Sequence, residues 1–341
     1  MDTPSGNRAE MYVRWGGEES ILHYALVRNQ GEDSDGEMSQ EEDSFLISPF
    51  SGKMEKWSIH QKSSVSSLPE IVLTENQLKF SAHKSREEYI QLVETMVGEM
   101  TSPNPENALD KVVTARTQFV PCNPNISQWF DLLFDAYPKA HVYFLNHPQW
   151  GQWMGATPEL LLAQEGSLLE TMSLAGTRLA GSKDSWGEKE KQEQAYVTDF
   201  IKSTLEDCDL SSIEVGEVFT KNAGPIEHLC TRLSAEAKSP KDFIETAKAL
   251  HPTPAVCGIP REGAKVALSD HEGLNRQLYA GFFGENSKDR QQVAVNLRCL
   301  TFVPNGVVLW AGGGLTADSN PESEWTETEN KMMTLRGVLS I

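Results

Sequence analysis

The chain has little cysteine, no long apolar run and no excess of basic charge. Its five cysteines (Cys122, Cys208, Cys230, Cys257, Cys299) are odd in number, scattered and without a C-x-x-C pair. That pattern argues against a disulfide framework or a structural zinc site and for a reducing compartment. No apolar stretch approaches the roughly 18 residues a membrane helix needs. The first residues show no basic segment leading into an apolar one. The expectation is a cytoplasmic protein that does not engage a membrane. Lysine and arginine number 30 against 49 acidic residues, a formal net charge of −19. A surface of that sign is a poor partner for nucleic acid or anionic lipid. An anionic ligand needs a local cation or a metal to hold it against the global field. No G-K-[ST] follows the glycine run near the C-terminus, which excludes a P-loop. No internal repeat is visible.

What remains is 341 residues, 39% hydrophobic, enough for a large core. Residues 30–45 hold seven acidic residues and no basic one, the composition of a solvated loop. Ile21 to Val27, Phe45 to Phe50 and Ile71 to Leu73 read as short strands. Ser85-Arg86-Glu87-Glu88 is a capping box. Tyr89, Leu92, Val93, Met96, Val97 and Met100 then recur at helical spacing, which predicts a helix over 86–100 ended by Pro103 and Pro105. Lys111 to Arg116 reads as a strand with those two cations on opposite faces. Trp129 to Tyr137 reads as a helix and Val142 to Leu145 as a strand. A strand, tight turn and strand follow from Trp153 to Leu162, and residues 188–206 form a second clear helix. Ile213 to Phe219 is strand-like, Phe243 to Leu250 helical, and His251-Pro252-Thr253-Pro254-Ala255 a rigid turn. Leu278 to Gly284 and Val293 to Arg298 read as strands. Pro304-Asn305-Gly306 turns the chain back into Val307 to Trp310. Interleaved elements with a hairpin turn of this kind predict antiparallel pairing and an α+β fold. Residues 1–80 form its short N-terminal part and 85–341 its body.

Several residues sit oddly for a purely structural role. Glu159 opens an apolar strand: either a strand-end charge reaching water, or a carboxyl whose pKa apolar surroundings raise, ready to act as an acid. Lys111 lies in a β-branched run, at an edge or pointing into a pocket. Glu193 shares the apolar face of its helix with Tyr196 and Val197, where a carboxylate needs a partner, and a metal is a sensible one. His228 lies in a short strand, where a lone histidine is most often structural. Arg298 suits bidentate capture of a carboxylate. Near the C-terminus, Gly312, Gly313 and Gly314 precede a helix capped by Asn320 and Pro321. On it Glu324, Glu327 and Lys331 share one face. A triple glycine is more often a turn than an anion cradle, and such a helix face is usually solvated. Together they suit a carboxylate-bearing ligand held with a divalent metal.

The motifs, in order, are K-V-V-x-A-R from Lys111, G-A-T-P-E-L-L from Gly155, L-A-G-T-R from Leu174 and E-K-x-x-x-E from Glu188. E-H-L from Glu227, L-H-P-T-P-A from Leu250, Y-A-G-x-x-G from Tyr279, N-L-R from Asn296, A-G-G-G and E-W-x-E-T-x-x-K complete the set. This series resembles the chorismate-utilising enzymes: isochorismate and salicylate synthases and the large subunits of anthranilate and aminodeoxychorismate synthases. The resemblance covers roughly residues 85–341. It implies large, mostly antiparallel sheets packed together with helices outside. Lys111 is similar to the lysine by which isochorismate and salicylate synthases activate water, where anthranilate synthases carry glutamine. Ala255 is similar to the alanine typical of isochorismate synthases. The resemblance therefore implies reversible isomerisation of chorismate to isochorismate; with no carrier domain visible, menaquinone formation rather than siderophore formation is the expected pathway. Lys111 is implied as base and Glu159 as acid. Glu193, Glu327 and Glu324 are implied as the Mg²⁺ site, the last through water. Tyr279, Arg298, Lys331, Thr177, Ala255, His228 and Gly312 to Gly314 are implied around the substrate. The expected protein is a monomer without an amidotransferase subunit. The first 80 residues match the superfamily little, and Cys257 stands where relatives often have a small residue.

Overall fold

Strand follows strand for most of this chain, and every pairing between them is antiparallel. The structure is a computed structural model and describes residues 7–28, 43–71, 84–101, 109–239 and 242–341. The acidic stretch at 30–45 therefore falls almost wholly outside the described residues, as do residues 72, 73, 103 and 105. In chain order the elements are β1 (Arg8–Arg14), β2 (Ile21–Val27), β3 (Ser44–Ser48), β4 (Glu55–Val65), α1 (Arg86–Met100), β5 (Lys111–Pro121), α2 (Ile126–Ala136) and β6 (His141–His147). They continue with β7 (Gly151–Thr157), β8 (Leu160–Glu165), β9 (Leu168–Leu179), α3 (Glu188–Asp207), β10 (Ser211–Val215), β11 (Phe219–Ala223), β12 (Ile226–Glu236) and α4 (Asp242–Leu250). The last are β13 (Gly258–Ile259), α5 (Arg261–His271), β14 (Phe282–Asn286), β15 (Gln291–Val295), β16 (Cys299–Val303), β17 (Gly306–Leu315) and α6 (Pro321–Leu339).

The strands form one continuous ribbon. It runs β12–β9–β8–β15–β14–β3–β4 through its first half. The second half runs β4–β2–β1–β6–β7–β16–β17–β5. Strands β10 and β11 extend the first end beside β12, and β13 extends the second beside β5. This is the α+β architecture that the antiparallel hairpin and interleaved helices implied. The helices cover the ribbon: α3 lies on β9, α6 on β17, and α1 and α5 on β5. Among the described residues no helix is long and apolar enough to cross a membrane.

Local chemistry explains the helix starts. Ser85 accepts from the Glu88 amide at 3.2 Å and the Glu88 side chain accepts from the Ser85 amide at 2.7 Å, closing the capping box of α1. Asn320 accepts from the Ser323 amide at 3.1 Å, with Pro321 at the first helical position. Asn125 caps α2 in the same way, so that helix starts at Ile126, earlier than Trp129. Other boundaries differ from the sequence expectation for steric reasons. Ile213 to Phe219 is not one strand but the ends of β10 and β11 with a break between them. Strand β14 begins only at Phe282, because Ala280 takes a left-handed φ of 61°. Strand β15 ends at Val295, and Arg298 has φ 49°, so the Val293 to Arg298 stretch is half strand and half turn. The three glycines lie inside β17, paired with Val113 to Ala115, and are not a turn.

Arg116 ties the ribbon to helix α6. It is 1% exposed. Its Nε donates to Thr328 Oγ1 at 2.6 Å, it pairs with Glu329, and its guanidinium lies 3.7 Å from the Trp325 ring centroid. Replacing it with leucine strands buried acceptors on α6, so Arg116→Leu is expected to lose about 3 kcal/mol of unfolding free energy in urea titration.

Candidate functional site

The two ends of the ribbon face each other across a cleft. Strands β5 and β17 supply one wall, β9 and β12 the other. The cleft is lined by Glu159, Thr177, Glu193, His228, Ala255, Tyr279, Arg298, Gly312, Gly314 and Lys331. Lys111 stands just behind, fully buried, with Nζ 3.0 Å from Glu193 Oε1. Glu324 and Glu327 line an adjoining opening that shares Thr177 with the cleft. Gly313 faces the other side of β17, toward Tyr89, Glu324 Oε2 and Thr328. Residues scattered over more than 200 positions are thus gathered because the ribbon closes on itself.

The glycines act by what they lack. A Cβ on Gly314 would sit 2.4 Å from Glu193 Oε1 and 3.3 Å from Lys111 Cε. A Cβ on Gly312 would sit 3.0 Å from the Tyr279 hydroxyl. Bare backbone here lets α3 press its carboxylate against β17. The Gly312 carbonyl accepts from Lys331 Nζ at 2.7 Å.

Glu159 lies in the two-residue link between β7 and β8, 3% exposed. Burial raises its pKa to about 7, against the opposing pull of Lys221, Lys111, Arg298 and Lys331. The carboxyl is therefore about half protonated at neutral pH, the condition for an acid that must also be reset.

Arg298 is held by its own backbone turn and by His228. The His228 Nδ1 lies 2.8 Å from the Gly176 carbonyl, which can only accept, so Nδ1 carries the hydrogen. The Nε2 lone pair then accepts from Arg298 at 2.8 Å. Burial, then Arg298 and Lys331, push the imidazole pKa well below its usual value, keeping it neutral. The remaining Arg298 Nη1 is buried without a hydrogen-bond partner. A buried guanidinium nitrogen without an acceptor is costly, and a carboxylate in the cleft would satisfy it. Tyr279 stacks on Trp310 beside it, ring centroids 5.5 Å apart.

On the other side three carboxylates alternate with three lysines. Glu193 pairs with Lys111, Glu327 with Lys331 at 2.7 Å, and Glu324 with Lys189 at 2.6 Å. Among the described residues no three carboxylate, imidazole or thiolate groups converge on one point as metal ligands. The donor set nevertheless fits a hard divalent cation. It is all oxygen, and Glu324 Oε2 is buried without a partner. Burial and then the neighbouring Glu327 raise the Glu324 pKa against the pull of Lys189.

Two lysines were missed from sequence. Lys189 stands four residues before Glu193, hence on the same helical face, and that spacing could have revealed it. Lys221 on β11 reaches the Pro158 carbonyl at 2.7 Å; no sequence signal marks it.

Fold and cleft together define a site for a small ligand carrying carboxylates, built from one long antiparallel ribbon. The sequence pattern of the family described as chorismate binding enzyme matches residues 48–340, and the chain belongs to that family. It is 28% identical to the isochorismate synthase EntC of Escherichia coli over 263 residues, covering 73% of this chain and 67% of EntC. It is 33% identical to the isochorismate synthase MenF of Haemophilus influenzae over 189 residues, covering 52% of this chain and 44% of MenF. The fold matches that of the menaquinone-specific isochorismate synthase MenF of E. coli with a TM-score of 0.78 at 20% identity, over 98% of this chain and 89% of that one. Anthranilate synthase component I of Streptococcus pneumoniae shares it at a TM-score of 0.67 and 16% identity, over 98% and 93% of the two chains.

Because the Glu159 pKa is raised, the folded state holds a proton the unfolded state releases as pH rises from about 4.5 to about 7. Glu159 therefore costs stability above that window. The Glu159→Gln variant is expected to gain on the wild type by about 3 kcal/mol between pH 4 and pH 8 in urea titrations.

Proposed function

We propose that the protein is an isochorismate synthase: water adds at C2 of chorismate, the ring double bonds shift, and the C4 hydroxyl departs. The observation that carries this reading is a fully buried lysine just behind a cleft that is lined by a buried carboxyl whose pKa lies near 7. A hydration with loss of hydroxide needs one group to take a proton from water and another to give one to the departing oxygen. Lys111 is the base and Glu159 the acid. Arg298, oriented by His228, binds the enolpyruvyl carboxylate through its open Nη1, with Tyr279 beside it. Ala255 keeps the ring pocket wide. Thr177 and Lys331 flank the ring carboxylate.

Lys111 Nζ stands 3.0 Å from Glu193 Oε1, one of the carboxylates that would hold a metal. Glu193, Glu327 and Glu324 would hold a Mg²⁺ ion, which would supply positive charge for the ring carboxylate. Water as nucleophile removes any need for an amidotransferase subunit. Menaquinone formation is the pathway we favour for the product.

Proton NMR of chorismate with the pure protein and Mg²⁺ tests the activity. Isochorismate should accumulate to an equilibrium mixture whether or not ammonium is present. Salicylate with pyruvate, or an aminated product that needs ammonium, would refute the assignment. Lys111→Ala and Glu159→Gln are each expected to cut turnover by about 10³-fold or more while chorismate still binds in calorimetry. Glu327→Gln should raise the Mg²⁺ concentration needed for half-maximal rate by about tenfold; an unchanged metal titration would remove Glu327 from the site.

A further inference from the structure

Lys221 has no place in the chemistry above, yet the fold brings it to the acid. Strand β11 sets Lys221 directly opposite His228 on β12, and His228 lies opposite Thr177 on β9. Residues opposed across antiparallel strands point to the same face. Both His228 and Thr177 line the cleft, so Lys221 points toward it too. Its Nζ donates to the Pro158 carbonyl at 2.7 Å and lies 3.3 Å from Met172 Sδ. Pro158 and Glu159 are the whole of the β7–β8 link. Among the described residues no carboxylate comes within ion-pair distance of this ammonium. A half-buried ammonium given only a carbonyl and a thioether is poorly compensated, and the groups its charge reaches are the Cys230 thiol and the carboxyl one residue on.

We propose that Lys221 is a positioning residue for Glu159: its ammonium fixes the Pro158–Glu159 link from behind and holds a positive charge against the acid. This rests on Glu159 being the acid proposed above. The groups facing Glu159 are Lys221 from β11, Lys111 from β5, Lys331 from α6, Arg298 after β15 and the Cys230 thiol from β12. Lys221 exerts the largest opposing effect of these charges on a carboxyl that burial drives up. Lys111, Lys331 and Arg298 stand ready for water or substrate. Lys221, tied to backbone and thioether, is the cation whose charge stays with Glu159 through the cycle.

The test is a ¹³C NMR titration of the Glu159 carboxyl without substrate, assigned by its loss in Glu159→Gln. It compares wild type with Lys221→Met, Lys221→Gln and Lys221→Arg. Lys221→Gln keeps a donor for the Pro158 carbonyl without the charge, and serves if Lys221→Met does not fold. Either neutral variant should move the Glu159 midpoint up by about one unit, and arginine should restore it. In turnover assays the limb on which Glu159 must stay protonated should move to higher pH by the same amount. A Glu159 midpoint unchanged in both neutral variants would overturn the proposal. A shifted midpoint in a protein that does not turn over chorismate would sustain the Lys221–Glu159 coupling and refute the proposed activity instead.

Discussion

Six charges meet where α3 and α6 close over β5 and β17, and the cleft depends on their balance. Lys111 comes from the ribbon, Lys189 and Glu193 from α3, and Glu324, Glu327 and Lys331 from α6. Burying any one of them alone would cost several kcal/mol, on the order that desolvation of an ion imposes. Paired, they hold two helices in register on two strands. The glycines of β17 are a consequence: a side chain at Gly314 would occupy the space of the Glu193 carboxylate. Arg116 extends the same logic one turn along α6, joining Thr328, Glu329 and Trp325 to β5. The chain's net charge of −19 is thus misleading about the site. Around Glu159 the nearby charges are Lys221, Lys111, Arg298 and Lys331, all positive.

The topology explains how so few elements gather so many functional groups. A single antiparallel ribbon has two ends, and here both end in long strand pairs, β9 with β12 and β5 with β17. When the ends face each other, every second residue of four strands points into the gap. Glu159 sits on the link by which the chain leaves β7 in one half of the ribbon for β8 in the other. A carboxyl at such a crossover is covered from both sides, which is why burial dominates its pKa.

Much of this was legible in the residues. Helix α1 and strand β2 have the predicted bounds, because a capping box and clean apolar periodicity are local signals. The N-cap of α6 was equally plain in Asn320-Pro321. The motif series placed Lys111, Glu159, Glu193 and Arg298 in one site, and the fold brings them together. Other features could not be read. Arg298 and Ala280 adopt left-handed backbone that their residue types disfavour, so only tertiary packing imposes the turns that end β15 and delay β14. The break between β10 and β11 was hidden by apolar residues at Val215, Val218 and Phe219, which are exposed. Without that break β11 could not be paired with β12, and Lys221 could not be set opposite His228. Nor could His228 be assigned to Arg298 before the Gly176 carbonyl fixed its tautomer.

The proposed reaction suits this charge arrangement for a further reason. As water adds, Lys111 gains a proton and becomes cationic. As the C4 hydroxyl departs, Glu159 loses one and becomes anionic. The total charge of the cleft is the same before and after, although both groups have changed state. For groups this buried, a net gain or loss of one charge would carry a desolvation cost of several kcal/mol. Moving a proton in at one side and out at the other avoids it. The product state also meets a partner ready-made: an ionised Glu159 lies among Lys221, Arg298 and Lys331. Reversal asks the same two groups to exchange roles. That requires an acid poised near neutrality, and opposing burial and cations set Glu159 there.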